Sequence, residues 1–326
     1  MTPPSALHVG EAARTAELLV AQARREGLRW DQRPIVPSRD WSGPVGRARK
    51  AVRGAAWLAG LRVAAGRHDV VHVHSATTLP HVRPVVPRFV LHCHGTDVRT
   101  AQYEPQRTAA IRAGLRDAEA VFYSTPDLAE HVLPHRADAQ LLPVPVDVDE
   151  LPSWTTQSGE RPYVVFASRW EAVKGLEPQL ETARRLVSAV GDRVDVVGLD
   201  WGPAAAEAAA LGVQLRPKLD HAAYLRLLAG ARAVVGQGAG ILSASELEAL
   251  GSGAPLAVPA PLPLYAADAP PVLGDDPAGA VDGIIDILEG GTHDPAAGRD
   301  WVRSRHDPSV GVAAISTVYA DVVARR

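Results

Sequence analysis

The sequence predicts an α/β protein with two doubly wound domains, each a parallel sheet covered by helices. Short runs of β-branched residues alternate with longer Ala-, Leu- and Arg-rich segments, which is typical of βα units around a parallel sheet. The alternation occurs twice, and an aperiodic stretch between Pro143 and Pro162 separates the two series. A chain of 326 residues is long enough for two domains of ordinary size.

The first predicted domain spans residues 1–150. Its valine-rich runs are continuous, as buried parallel strands are. The predicted strands are Ala6–Val9, Asp69–His74, Arg88–Cys93, Ala120–Tyr123 and Gln140–Pro143. The predicted helices are Ala12–Glu26, Val45–Ala65, Pro105–Arg116 and Pro126–Val132.

The second predicted domain spans residues 151–305, with the boundary placed near Leu151–Glu160. The predicted strands are Tyr163–Ala167, Val194–Val197, Val213–Leu215, Ala233–Val235 and Pro255–Val258. The predicted helices are Gly175–Val190, Pro203–Leu211, Ala222–Gly230, Ser243–Leu250 and Ala280–Glu289. A closing helix in 306–326 is expected to pack back on the first domain.

Composition narrows the classes of function. The formal net charge of −3 argues against nucleic-acid binding through the overall charge of the protein. The sequence contains a single cysteine, Cys93, which excludes an intrachain disulfide and a cysteine-rich zinc site. The N-terminus lacks the regions of a signal peptide, and no apolar stretch is long enough for a transmembrane helix. We therefore expect a cytoplasmic protein.

Two cations follow the first strand of the second domain. Arg169 and Lys174 lie between that strand and the helix that begins at Gly175. Cations beside the free N–H groups of a helix N-terminus form a site for a diphosphate. The same spacing is explained equally well if Arg169 and Lys174 are two solvated cations on the surface.

A glycine-rich loop, 236–242, enters a helix and offers a second phosphate contact through Gly240, Ile241 and Leu242. Ser243 and Glu246 have the spacing of a capping box, so a structural role at the start of the helix is enough to explain Glu246. Glu248 lies inside the same helix. Its carboxylate can accept hydrogen bonds from both hydroxyls of a ribose, although a role on a solvated helix face is also open.

A histidine-rich strand of the first domain runs into His94-Gly95-Thr96-Asp97. His94 and Asp97 are placed to project beyond the end of the strand. Metal binding by His92, His94 and Asp97 is a weaker alternative. His72 and His74 are expected to be core or strand-end residues.

A basic stretch without acids carries the cations of residues 47–67 together with Trp57, Leu58 and Leu61. It is consistent with peripheral contact to an anionic membrane at the inner face. A solvated helix face that packs through its apolar stripe is the simpler interpretation.

Taken together, these segments resemble the retaining glycosyltransferases of family 4. The resemblance is ordered along nearly the whole chain. It runs through 69–74, His94-Gly95-Thr96-Asp97, Tyr123-Ser124-Thr125-Pro126, Leu142–Asp147, Ser168-Arg169 with Lys174-Gly175, and Leu247-Glu248-Ala249 with Gly253-Ala254-Pro255.

This resemblance implies the GT-B architecture, two Rossmann-like domains facing a cleft, and a nucleotide diphosphate sugar as donor. Arg169 and Lys174 match the pair that binds the diphosphate, Glu248 matches the ribose ligand, and His94 matches a residue near the reaction centre. The family transfers with retention, without a cofactor and without an essential metal. Lys218 is a further candidate donor contact.

Two departures from the family pattern affect the site. In the family, a glutamate that binds the donor sugar stands at the position that Gly240 occupies in this chain. We expect Gln237 or Glu246 to compensate for the missing contact with the sugar. The loop after the first strand is short, and Gly10 is the residue of this loop that we expect to contact the nucleotide sugar donor.

The sequence leaves three classes of acceptor open, namely a small molecule, a lipid-linked saccharide and a polysaccharide. A binding protein without turnover and a nucleotide-sugar epimerase are the alternatives to a transferase.

Overall fold

A computed structural model describes residues 2–35, 42–155 and 161–326. The chain divides into two compact units. The first unit contains Met1–Pro145 and Pro308–Arg326, and the second contains Val146–Asp307. Part of the stretch predicted to hold the boundary, 156–160, lies outside the described residues.

The first unit is built on a sheet in which every described pairing is parallel. Its strands are β1 Ala6–Val9, β2 Trp30–Arg33, β3 Val70–His74, β4 Val90–Cys93, β5 Ala120–Tyr123 and β6 Gln140–Leu141. Its helices before the second unit are α1 Thr15–Arg25, α2 Gly43–Ala65, α3 Leu79–Val82, α4 Pro105–Asp117 and α5 Ala129–Val132.

The strand order of the first sheet is β2-β1-β3-β4-β5-β6. The order reverses between β1 and β3, so the switch point lies at their carboxyl ends. One face of the sheet packs its aliphatic residues against α3, α4 and α5 in a single apolar cluster that contains Leu79, Ile111 and Val132.

The other face carries a row of imidazoles among apolar residues. His8 on β1 is paired in register with His72 on β3, and His74 is paired with His92 on β4. All four side chains are buried. They lie on the same face as an apolar cluster that includes residues of α1, so the histidines are core residues here, as expected for His72 and His74.

The second unit has an analogous parallel sheet. Its strands are β7 Tyr163–Phe166, β8 Asp195–Leu199, β9 Gln214–Arg216, β10 Ala233–Val235 and β11 Leu256–Ala257. Its helices are α6 Leu176–Val190, α7 Ala205–Ala210, α8 His221–Gly230, α9 Ala244–Ser252, α10 Pro277–Leu288 and α11 Pro295–His306. The strand order is β11-β10-β7-β8-β9, which reverses between β7 and β10.

The final helix, α12 Pro308–Ala324, returns to the first unit and packs against α1. The first unit ends at Pro145 because the following residues bond to the second unit. The Val146 N–H donates to the His306 carbonyl at 2.7 Å, and Arg303 pairs with Asp149.

Three elements of the fold escaped the sequence analysis, and the four-residue helix α3 is one of them. Strand β2 has the polar sequence Trp-Asp-Gln-Arg and lies at the edge of its sheet, where only Trp30 is buried. Helix α11 packs on α9, where Gly298 lies close to Leu250, but charged residues interrupt its apolar pattern. Among the described helices, none combines the length and the apolar character needed to cross a membrane.

The histidine row makes the first unit sensitive to acid. Burial lowers the pKa of His8 to about 3 and holds the pKa values of His72, His74 and His92 well below their ordinary value. The unfolded chain binds protons at these groups below about pH 6.5, whereas the folded chain does not. We expect the free energy of unfolding to fall as the pH drops from about 6.5 towards 4, by up to about 1.4 kcal/mol per pH unit for each histidine.

Urea unfolding at a series of pH values across this range measures the slope. His92→Phe removes one of the titrating groups and should make the slope shallower. His81→Gln changes an exposed histidine and should leave the slope as it is. A wild-type unfolding free energy that stays constant across the range contradicts the expectation.

Candidate functional site

The switch point of the second sheet brings together the two segments that the sequence singled out there. Arg169 lies in the loop after β7, and the glycine-rich loop 236–242 begins directly after β10. The Ala167 N–H donates to the Val235 carbonyl at 2.9 Å, so the two strands leave the sheet side by side. Ligands of doubly wound sheets bind beyond the strands at such a point.

Gly175 and Gly238 hold the two loops together by direct backbone contact. The Gly238 N–H donates to the Lys174 carbonyl at 2.9 Å. A Cβ built on Gly175 would lie 2.1 Å from the Gly238 carbonyl carbon, and Gly175 has a φ of +67°. Only glycine meets both requirements, and the contact places the start of α6 against the glycine-rich loop.

Two cations converge on one exposed aromatic ring. The Arg169 guanidinium carbon lies 5.1 Å from the centre of the Trp201 ring, and the Lys218 Nζ lies 4.6 Å from it. Both distances suit cation–π attraction. Arg169 also pairs with Glu171 at 2.5 Å, which partly neutralises its charge.

The loop that carries Trp201 is fastened to the loop that carries Arg169. The Trp170 N–H donates to the Trp201 carbonyl at 3.0 Å, and the Trp170 indole N–H donates to the Leu199 carbonyl at 3.1 Å. Trp201 was not predicted from the sequence. Its position directly after β8, at the same edge of the sheet as Arg169, was the available signal.

Glu246 forms the capping box that its spacing from Ser243 predicted. Its carboxylate accepts the Ser243 N–H at 2.9 Å and the Gln237 N–H at 3.1 Å. Glu246 and Gln237 are both fully buried, so their side chains fix the loop to the start of α9. Their expected compensating role toward a sugar stays a prediction.

Glu248 lies two residues beyond Glu246 in α9 and is partly exposed. One of its carboxylate oxygens lies 2.7 Å from His221 Nε2. Because an ionised carboxylate only accepts hydrogen bonds, His221 donates from Nε2 in this pair. A nearby phenol, Tyr224, donates to the Ala167 carbonyl, and burial raises its pKa well above the ordinary value.

Gly240, Ile241 and Leu242 form the end of the glycine-rich loop. Gly240 has a φ of +71°, and the two apolar side chains are buried. The Leu242 N–H donates to the Tyr265 hydroxyl at 3.2 Å, so this donor has a partner within the chain.

Asp97 in the first unit is an anchor for the loops at its switch point. Its Oδ1 accepts the N–H groups of His94 at 3.1 Å, Gly95 at 3.0 Å and Val98 at 3.0 Å. Its Oδ2 accepts the Ala76 N–H at 2.8 Å. These four bonds place Asp97 beneath His94 and leave the carboxylate poorly suited to the metal-ligand alternative with His92 and His94.

His94 is half-buried at the carboxyl end of β4. Its Nε2 lies 3.0 Å from His74 Nδ1. Burial lowers the pKa of His94 to about 4, although the Asp97 charge opposes the shift. His94 is therefore a neutral imidazole near pH 7.

Gly10 follows β1 with a φ of +90° and donates its N–H to the Arg33 carbonyl at 3.1 Å. The next residue, Glu11, accepts the N–H groups of Ala16 and Glu17 at the start of α1. The helix N-terminus beside Gly10 thus carries a carboxylate of the chain itself, and the donor contact of Gly10 stays a prediction.

Comparisons with solved structures identify the fold. Sucrose-phosphate synthase from Thermosynechococcus elongatus superimposes with a TM-score of 0.67 at 15% identity, over 99% of this chain and 100% of that one. Anabaena Alr3699/HepE in complex with UDP-glucose gives 0.68 at 12% identity, over 98% and 100%. The chain has the GT-B fold.

A third similar structure is described as a UDP-N-acetylglucosamine 2-epimerase, from Listeria monocytogenes. It gives a TM-score of 0.56 at 14% identity, over 96% of this chain and 95% of that one. No protein-family model matches the chain, and no curated protein matches it in sequence. The similarity therefore lies in the fold.

The contact between Gly175 and Gly238 predicts a specific sensitivity to one methyl group. Gly175→Ala adds a Cβ that overlaps backbone atoms of the glycine-rich loop. We expect the free energy of unfolding to fall by about 2–5 kcal/mol, because overpacking and a strained φ both contribute. Gly290→Ala is the matched control, since Gly290 has a φ of +97° but no atom within 4 Å of the added methyl. It should cost only about 1–2 kcal/mol. Urea unfolding of both variants tests this, and equal losses would contradict it.

Proposed function

We propose that the protein is a retaining glycosyltransferase that moves a sugar from a nucleotide diphosphate sugar to an acceptor. The fold supports this proposal, because two structural neighbours are a sugar synthase and a protein crystallised with UDP-glucose. The observation that carries it is the pair of cations, Arg169 and Lys218, against Trp201 at the switch point of the second sheet.

Two cations on one ring repel each other, and a bound dianion relieves this repulsion. Lys174 stands beside the Gly175–Gly238 contact, close to the start of α6 in sequence. Arg169, Lys174 and Lys218 thus supply positive charge, and the N-terminus of α6 begins at Leu176, directly after the loop that carries Arg169 and Lys174. This combination suits the diphosphate of a nucleotide sugar.

The remaining site residues are assigned by the resemblance to family 4. Glu248 is proposed to accept the ribose hydroxyls, with His221 holding its carboxylate in place. Gly240, Ile241, Leu242 and Gly10 are proposed donor contacts, and His94 is proposed to contact the transferring sugar.

The proposed chemistry is a front-face substitution. The bond between the sugar C1 and the diphosphate oxygen breaks while a bond forms between C1 and the acceptor oxygen. The acceptor proton passes to the leaving diphosphate. Fixed cations stabilise the charge that develops on the leaving group, so neither a metal nor another cofactor is proposed.

An epimerase is the second candidate, because one structural neighbour is described as acting on a sugar nucleotide in that way. An epimerase changes the sugar of the donor without an acceptor, whereas a transferase leaves the donor sugar unchanged until transfer. A third reading, a binding protein without turnover, predicts affinity for the donor and no product.

The acceptor is proposed to be a small molecule, a lipid-linked saccharide or a polysaccharide. Helix α2 exposes most of the basic stretch 47–67, and Val45 and Val52 on this helix are exposed as well. Peripheral contact with an anionic membrane through this helix stays a prediction.

A donor screen tests the proposed function. UDP-, GDP-, ADP- and TDP-sugars are added to the purified protein, and thermal stability and release of nucleoside diphosphate are followed. We expect one nucleotide class to raise the melting temperature, since a ligand of the folded state stabilises it. We also expect slow release of the diphosphate. No response to any sugar nucleotide would contradict the assigned donor site.

Arg169→Ala or Lys174→Ala should lower turnover by orders of magnitude, because charge stabilisation of this kind contributes about 3 kcal/mol or more. Arg185→Ala is the control, since it removes an exposed cation of α6 that pairs with Glu181. Wild-type rates in both site variants would disprove the assignment.

Trp201 is expected to support donor binding through the two cations. Trp201→Leu should weaken nucleoside diphosphate affinity about 3- to 30-fold, the range expected for loss of one or two cation–π contacts. Trp201→Phe keeps an aromatic face and should lose less. Isothermal titration with the diphosphate measures both, and an equal loss in the two variants would argue against a cation–π role.

A further inference from the structure

A continuous chain of hydrogen-bonding groups leads from His94 into the core of the first unit. His94 Nε2 lies 3.0 Å from His74 Nδ1, and His74 Nε2 lies 2.9 Å from His8 Nδ1. The Tyr319 hydroxyl lies 3.3 Å from His8 Nε2 and 2.7 Å from His72 Nδ1. Strands β1 and β3, the residue that follows β4 and helix α12 each contribute to this chain, which we call the histidine relay.

The relay can carry its protons in only two arrangements. A neutral imidazole has one N–H donor and one bare nitrogen acceptor, and a phenol has one proton to donate. Where two ring nitrogens face each other, one must donate and the other accept. The choice at Tyr319 therefore determines each pair in turn, up to the tautomer of His94.

The inner end of the relay favours one of these arrangements. If Tyr319 donates to His72 Nδ1, then His72 carries its proton on Nε2. That atom is buried and has no hydrogen-bond partner among the described residues. Buried N–H groups without an acceptor are rare. In the opposite arrangement, in which Tyr319 donates to His8, the same nitrogen is a bare acceptor, and a buried acceptor without a partner is less unusual than a buried donor without one.

The choice at Tyr319 determines the tautomer at the outer end of the relay. When Tyr319 donates to His8, His8 donates to His74 and His74 donates to His94 Nε2, so the His94 proton lies on Nδ1. Nδ1 is the ring nitrogen nearer the main chain.

We propose that the histidine relay fixes His94 as its Nδ1–H tautomer, so that a neutral N–H donor is presented at the carboxyl end of β4. His74, His8 and Tyr319 are then positioning residues. The tautomer follows from the contacts alone, whereas its use on a hydroxyl of the sugar or the acceptor rests on the proposed function.

Metal binding is the competing explanation of this cluster. Ring nitrogens of His72, His74 and His92 lie within 4.8 Å of one another. However, the rings of His72 and His74 are stacked, with centres 4.7 Å apart and planes 18° apart. Their lone pairs therefore run nearly parallel and do not converge on one point. Both nitrogens of His74 are also engaged in the relay.

Nitrogen NMR of protein labelled at histidine tests the relay, because the two neutral tautomers have distinct ¹⁵N shifts. The His94 signals are assigned by their loss in His94→Gln, and spectra are recorded without sugar nucleotide near neutral pH. We expect His94 in the wild type to be a single Nδ1–H tautomer. A proton on Nε2, or a mixture, would overturn the proposal whether or not the protein proves to be a transferase.

Tyr319→Phe removes the hydroxyl that sets the direction, so His94 should then populate both tautomers. Tyr103→Phe is the matched control, because its hydroxyl lies 2.8 Å from His131 Nδ1, outside the relay, and it should leave His94 unchanged. An unchanged His94 spectrum in a folded Tyr319→Phe protein would overturn the relay. So would stoichiometric Zn²⁺ binding that shifts the His72, His74 and His92 signals together.

Discussion

The close backbone contact between Gly175 and Gly238 determines where the polar groups of the second unit stand. It locks the start of α6 to the loop after β10, and a hydrogen bond from Gly238 to the Lys174 carbonyl completes it. Any side chain at Gly175 would push the two loops apart. The contact thereby keeps the loop that carries Arg169 and Lys174 directly beside the glycine-rich loop.

A different constraint operates in the first unit, where imidazoles occupy a layer of the core. Burial makes protonation costly, so these groups remain neutral. A neutral imidazole has one donor and one acceptor nitrogen, so the hydrogen bonds of Tyr319, His8 and His74 form a directed chain that ends at His94. Asp97 supports the same residue from the backbone side through four N–H groups.

The two units therefore differ in the charge that they place at the carboxyl ends of their strands. The second unit gathers charge, with Trp201 as the surface that holds Arg169 and Lys218. The first unit removes charge and fixes a hydrogen-bond donor. Three residues other than glycine with positive φ among the described ones, Ala13, Arg14 and Ser75, follow β1 and β3 at the first switch point. Such strain costs on the order of 1–3 kcal/mol per residue and concentrates at functional edges.

The sequence by itself determined the two series of βα units and the capping box of Ser243 and Glu246, because hydrophobic periodicity and cap spacing are local properties. It also placed Arg169, Lys174 and the glycine-rich loop at strand ends. Only the tertiary structure decided which distant groups meet. The bond between His72 and Tyr319 and the pairing of Glu248 with His221 join residues far apart in the chain, and no local pattern encodes such contacts.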